Sequence, residues 1–215
     1  MRKIFILALA LMTSVVLAAC SAGAAEDTRP VTDYMPEGVE FVRSEKDDGF
    51  TEHKYRDAEG TYTLLTDRND DVRALEYDAN ARSAAESIVL SADEAFEKLL
   101  AVHPEAELIA AVEDRDDGRY EWGLLVNNGS DLAYYELDAA SGDILDYDIF
   151  YGLADVIALE EILTANMANA SITELSLDAD DGRLYLEGEA RTDNGPMEFK
   201  IDAESGIVVE MEYDD

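Results

Sequence analysis

"DAASGDILDYDI" occupies residues 138–149, and "DAESGIVVEMEYDD" occupies residues 202–215. Each begins with the same Asp-Ala-x-Ser-Gly turn and runs on into an alternating apolar and acidic stretch. A second word extends the match upstream. Asp116-Asp117-Gly118 precedes Asp138 by 22 positions, and Asp180-Asp181-Gly182 precedes Asp202 by the same 22. Between these marks lies another glycine turn in each copy, Asn127-Asn128-Gly129 and Asp193-Asn194-Gly195. Asn-Gly between apolar runs is a hairpin signal, because both residues tolerate positive φ. Each copy therefore reads as four strands joined by three tight turns.

The strands alternate with a period of two, as half-buried strands do. Tyr120, Trp122, Leu124 and Val126 fall on one face, as do Met197, Phe199 and Ile201. Ile207, Val209, Met211 and Tyr213 are expected to point inward, with Glu210, Glu212 and Asp214 outward. The expectation is a one-sided antiparallel sheet whose acids form its wet face and discourage edge-to-edge pairing.

Such a sheet needs a cover. Ser91-Ala92-Asp93-Glu94 is a capping box, and Ala95, Phe96, Leu99 and Leu100 follow on one helical face. A second helix is predicted from Val156 to Met167, capped by Asp155. A third, worn copy precedes both. It has strands over residues 39–44, 50–56, 61–66 and 72–77, with Asp67-Arg68-Asn69-Asp70-Asp71 in place of the Asp-x-x-Ser-Gly turn and no helix before it. The fold class expected is α+β: tandem units, each a short helix packed on an antiparallel meander, preceded by a partial β repeat. The boundaries expected are 39–80 for the partial repeat and 88–150 and 155–215 for the two units.

The amino terminus reads as an export signal. Arg2 and Lys3 precede an apolar run from Ile4 to Leu17, too short to span a bilayer comfortably as a helix. Leu17-Ala18-Ala19-Cys20 resembles the lipobox of bacterial lipoproteins, which implies cleavage of residues 1–19 and a diacylglyceryl thioether on Cys20. Residues 20–38 read as a tether to a membrane facing the extracytoplasmic side of the cell envelope. Cys20 is the single cysteine, so no disulfide can close within the chain.

With 16 basic and 50 acidic residues, the chain carries a formal charge of −34. Phosphate backbones are repelled by such a surface, which excludes nucleic acid as a partner. At 47% apolar residues in a patterned order, a core can form.

The two full copies resemble PepSY domains. "SADEAFEKLLAVHPEAEL" (91–108), "DDGRYEWGLLVNNG" (116–129) and "YYELDAASGDILDYD" (134–148) carry the resemblance in one. "LEEILTANM" (159–167), "LDADDGRLYLEGEA" (177–190) and "MEFKIDAESGIVVEMEYD" (197–214) carry it in the other. The resemblance implies an export-linked, non-catalytic module found in propeptides of secreted metalloproteases, with a proposed role in restraining a peptidase.

Catalytic groups are scarce. His53 is expected to face solvent on a strand, and His103 to sit at a helix C-terminus where a cation meets the dipole favourably. No catalytic residue, cofactor or metal site is assigned. From Asp178, glycine falls at position 5 rather than the position 6 that a calcium loop needs. An aromatic group, Tyr120, Trp122, Tyr134, Tyr135 and Tyr147, is the candidate face for a peptide or protein partner such as a peptidase. The leading expectation is a lipid-anchored binding module acting by contact. The alternative is an acidic structural lipoprotein of the envelope that binds cations only diffusely.

Overall fold

The computed structural model describes residues 34–47, 49–80, 85–115, 119–153 and 170–213. The first block forms β1 (Glu40–Asp47), β2 (Phe50–Arg56), β3 (Gly60–Thr66) and β4 (Val72–Ala79). Helix α1 (Ala92–Val102) follows, then β5 (Ala106–Asp114), β6 (Glu121–Asn128), β7 (Asp131–Asp138) and β8 (Ile144–Phe150). The last block is β9 (Ser171–Asp180), β10 (Arg183–Thr192), β11 (Gly195–Asp202) and β12 (Ile207–Tyr213).

The helix starts where its capping box predicts. Ser91 Oγ accepts from the Glu94 amide, and the Glu94 carboxylate accepts from the Ser91 amide at 2.9 Å. Two otherwise orphaned donors are thereby satisfied. Ala95 and Leu99 are fully buried, with Phe96 and Leu100 packed beside them.

The tandem α+β expectation is corrected by the topology. Among the described residues the fold is mostly β, with one helix and twelve antiparallel strands in two sheets. The first block does not stand alone. It joins the second edge to edge through β4 and β8, giving one eight-stranded sheet of order β1-β2-β3-β4-β8-β7-β6-β5. The third block is a separate four-stranded sheet, β12-β11-β10-β9. The helix predicted over 156–167, the signal segment and Cys20 lie outside the described residues.

The reason is visible in the register. Phe41, Tyr55, Tyr62, Tyr77, Tyr147 and Tyr135 are successive Cα partners across β1, β2, β3, β4, β8 and β7. Their rings meet at 5.5 Å (Phe41–Tyr55), 4.8 Å (Tyr62–Tyr77), 5.0 Å (Tyr77–Tyr147) and 5.7 Å (Tyr135–Tyr147). Cross-strand aromatic pairs are a unit of sheet stabilisation, and this rung continues across the β4–β8 seam without a break. Among the described residues the worn repeat has no helix of its own, and it shares its neighbour's sheet.

Nor is the sheet one-sided. On β6 and β7 alternate residues serve two cores. Leu124, Val126, Ala133, Tyr135 and Leu137 pack under α1. Leu125, Leu132 and Tyr134 belong to the cluster that holds Leu175, Leu177, Leu186, Phe199 and Ile201 of the smaller sheet. Burial on both faces explains why β6 and β7 read almost continuously apolar. A third cluster, Tyr55, Tyr62, Leu64 and Leu75, is packed by Met35, Val39, Tyr147 and Tyr151.

The inward set on β12 also differs. Pairing slips between Lys200 and Ile201, so Val208 and Met211 pack on the core. Ile207, Val209 and Tyr213 are 62%, 49% and 47% exposed. A bulge adds one residue and breaks strict alternation, a feature that period-two counting misses.

Candidate functional site

The repeated turns are built by carboxylates that accept backbone N–H groups. Asp138 Oδ1 accepts from Ala140 N at 3.0 Å and Ser141 N at 2.7 Å. Asp202 Oδ1 accepts from Ser205 N at 2.9 Å and Ser205 Oγ at 2.7 Å, which holds its carboxyl below the usual range. In the worn copy Asp67 Oδ1 accepts from Asn69 N and Asp71 N, and Asp70 takes φ 62° there. These acids are structural, and they close the turns that align the strands of both sheets.

A further set of carboxylates lines two hollows on the facing surfaces of the sheets. A cleft of about 540 Å³ is walled on one side by Val112, Asp114, Tyr134 and Glu136, and on the other by β9, β10, β11 and Glu210. A recess of about 410 Å³ shares Tyr134 and Glu136 with it and takes in Lys54, Glu76, Asp78, Asp146 and Asp148.

Register places these acids against one another. On the smaller sheet Glu174, Glu189, Glu198 and Glu212 are Cα partners across all four strands. Like charges directly opposite destabilise a sheet. Glu174 is pushed up, first by burial and then by Glu189, Asp114 and Glu198. The adjacent rung is Ser176, Glu187, Lys200 and Glu210. Its one cation is already engaged. Lys200 Nζ pairs with Glu187, lies 3.8 Å from Asp178, and stands 4.1 Å over the Tyr185 ring.

At the β4–β8 seam Glu76 faces Asp148 directly. Loss of water pushes Glu76 up to about 7, with Glu52 and Asp178 adding to the effect and Lys54 opposing it. Asp148 is held well above the usual carboxylate range, chiefly by burial and then by Glu76, Glu136 and Asp178. Desolvation and like charge both favour the neutral acid.

The histidines fall elsewhere. His53 is 8% exposed rather than solvent-facing. Its Nδ1 lies 2.7 Å from Ser44 Oγ and its Nε2 3.1 Å from Thr66 Oγ1, so a neutral hydroxyl stands where a catalytic triad has its carboxylate. Burial lowers its pKa. His103 closes α1 half-buried against Tyr135, at 5.0 Å between rings, and burial lowers its pKa too. The charged form expected at that helix end is thus disfavoured.

The five aromatic candidates do not form one face. Trp122, Tyr135 and Tyr147 lie on the α1 side of the sheet, and Trp122 Nε1 donates to Leu90 O at 3.0 Å. Tyr134 lies in the opposite core, while Tyr120 sits beneath the Arg115 guanidinium at 5.2 Å. What single-strand patterning missed is the cross-strand sum: four glutamates spaced along the sequence become neighbours only once the register is known. Among the described residues no group of three or more His, Cys, Asp or Glu is arranged to hold a metal ion. No helix among them is long and apolar enough to cross a membrane.

A helix-backed antiparallel sheet joined to a second, acid-faced sheet defines a scaffold that presents edges and a cleft. The family model described as "Peptidase propeptide and YPEB domain", PepSY, matches residues 89–148 and 157–212, more than half of the chain. The chain belongs to the PepSY family. PepSY domains are propeptide-like and typically non-catalytic, and membership points to an extracytoplasmic regulatory or binding module. Among solved structures, the C-terminal domain of Bacillus megaterium YpeB is 14% identical, covers 84% of this chain and 91% of its own length, and superposes with a TM-score of 0.31. A Clostridium difficile 630 chain named as a candidate lipoprotein is 17% identical, with 59% and 94% covered and a TM-score of 0.31. A cysteine-rich secretory protein of Staphylococcus aureus Mu50 is 15% identical, with 54% and 42% covered and a TM-score of 0.32. No curated protein matches the chain.

Proposed function

We propose that the chain is a membrane-anchored, non-catalytic binding module that restrains or tunes a secreted or envelope peptidase by contact. The observation that carries this reading is the doubled PepSY match, 89–148 and 157–212, in a family described by peptidase propeptides. The anchor is the lipid on Cys20, within the Leu17-Ala18-Ala19-Cys20 tetrad. Two acyl chains suffice for stable membrane attachment.

The test uses the full-length chain titrated into the secreted and envelope peptidases of the cell that makes it, with cleavage rate as the readout. A saturable change in rate for at least one peptidase is expected. No change in any of them removes the peptidase role. Incorporation of radiolabelled palmitate, and its loss in Cys20→Ala, tests the anchor separately.

A further inference from the structure

We propose that the free edge of β12 docks an extended basic segment of a protein partner, which adds to the smaller sheet as a fifth strand. This rests on the binding-module reading above and names the surface through which it works.

Among the described residues β12 pairs with β11 alone. The opposite edge of the same sheet, β9, runs against β5, β7 and β8 of the larger sheet. Among the described residues β12 is not packed along the larger sheet in this way, and its exposed side chains include Ile207, Val209 and Tyr213. An edge with unpaired backbone and apolar side chains is a template for another strand, and proteins blunt such edges with charged side chains, lysine above all, with bulges or with a cover. β12 has a bulge and two acids, and those acids repel an acidic strand while attracting a basic one. The other uncovered edge, β1, is blunted with cations. It carries Arg43 and Lys46, and Arg43 bonds Glu45 at 2.8 Å. β12 carries no cation.

Charge decides the occupant. The rung Glu174–Glu189–Glu198–Glu212 ends at the β12 edge and holds no cation. Beside it Glu210 is the open end of a rung whose Lys200 is engaged with Glu187 and Asp178. A lysine or arginine opposite Glu212 or Glu210 turns a like-charge rung into an opposite-charge one, which is the favourable cross-strand pairing. A second copy of the chain is the wrong partner. Two β12 strands laid antiparallel would bring these glutamates near their own copies, between molecules each carrying −34. The fitting segment therefore alternates, with cations toward Glu210 and Glu212 and apolar residues on the side of Met211 and Tyr213. Backbone bonding gives such a complex its affinity and the alternate side chains its specificity.

The probe is a peptide of about ten residues alternating lysine and valine. Its glutamate–valine counterpart and a backbone N-methylated lysine–valine version serve as controls. Full-length protein is followed by amide NMR with hydrogen exchange, and by calorimetry at two salt concentrations. Expected are protection of the β12 amides, shifts concentrated on β11 and β12, and loss of affinity with salt. The Glu210→Gln/Glu212→Gln variant, altered at two exposed positions, is expected to bind about tenfold or more weakly. Phe41→Thr on β1 is expected to bind as the wild type does. Equal binding of the lysine peptide by the double variant, binding without β12 protection, or equal binding of the N-methylated or acidic peptide overturns the proposal. So does a dimer of the chain that the double variant abolishes. If the double variant still alters peptidase rate while losing the peptide, the edge is not the working surface and the peptidase reading stands. Peptide docking at β12 with no effect on any peptidase leaves the edge standing and removes the peptidase role.

Discussion

Gly49 and Gly182 meet backbone to backbone: a Cβ placed on Gly49 would lie 2.7 Å from Gly182 N and 2.8 Å from its Cα. Both sit in the left-handed region, at φ +87° and +76°. In sequence each is the glycine of an Asp-Asp-Gly word, at 47–49 and 180–182, so a repeated word marks a contact between the two sheets. The contact is unequal. A Cβ on Gly182 would find its nearest neighbour, Gly49 Cα, at an ordinary 3.7 Å.

Gly49→Ala is therefore expected to destabilise more than Gly182→Ala. The second carries only the conformational penalty, about 1–2 kcal/mol. The first adds a clash with backbone that cannot rotate away, for a total of about 3 kcal/mol or more. Urea unfolding of the two variants decides it, and equal losses would show that the turns do not press together.

The Asp turns offer a graded series. Asp138 is buried and satisfies two N–H groups, so Asp138→Ala is expected to cost about 2–3 kcal/mol by leaving both unmet. Asp67 accepts two similar bonds, but both are exposed to water. Asp67→Ala is expected to cost under about 1 kcal/mol, since water can replace the carboxylate. A reversed order in thermal denaturation would mean that the turn geometry is set elsewhere.

The turn words, the capping box of α1 and the strands of all three blocks are local signals, and they are legible in the sequence. What is not local is not. Nothing in residues 72–79 or 144–150 announces that β4 and β8 pair, because the tyrosine rung exists only after six strands have found register. Likewise Glu76 and Asp148 look like ordinary wet-face acids, and become a facing pair in one recess only once β4 and β8 are in register, with Asp178 of the smaller sheet adding its charge. On β12 strict alternation ends at one bulge, which leaves Ile207 and Val209 exposed on the terminal strand of the smaller sheet.

The seam has its own test. Tyr77 and Tyr147 are register partners with stacked rings 5.0 Å apart. Single changes to leucine keep much of the buried area and remove the ring pairing. A double-mutant cycle is expected to return a coupling of about 0.5–1.5 kcal/mol. Coupling near zero would mean that the rings contribute burial alone and that β4 and β8 are held by their backbone.

The other face of the same seam predicts how stability follows pH. Glu76, pushed up to about 7, and Asp148, pushed well above the carboxylate range, hold protons in the native state that the unfolded chain releases around the ordinary values of 4.5 and 3.8. Where the native state binds more protons, stability falls as pH rises, by up to about 1.4 kcal/mol per pH unit for each group. Glu52, Lys54, Glu136 and Asp178 face the pair, and of these only Lys54 favours the charged forms. Asp202 works in the opposite sense. Its lowered pKa contributes stability above the ordinary value of 3.8 that is lost as pH falls further. The melting temperature is thus expected to rise as pH drops from 8 to about 5, then to fall below about 4. The overall charge of −34 also eases on acidification, so the slope alone does not assign the cause. Glu76→Gln/Asp148→Asn removes both protons from the balance and leaves nearly all of the surface charge in place. That variant is expected to be more stable than the wild type at pH 8 and to have a visibly flatter profile between pH 5 and 7. An unchanged slope would assign the effect to surface repulsion instead of the seam.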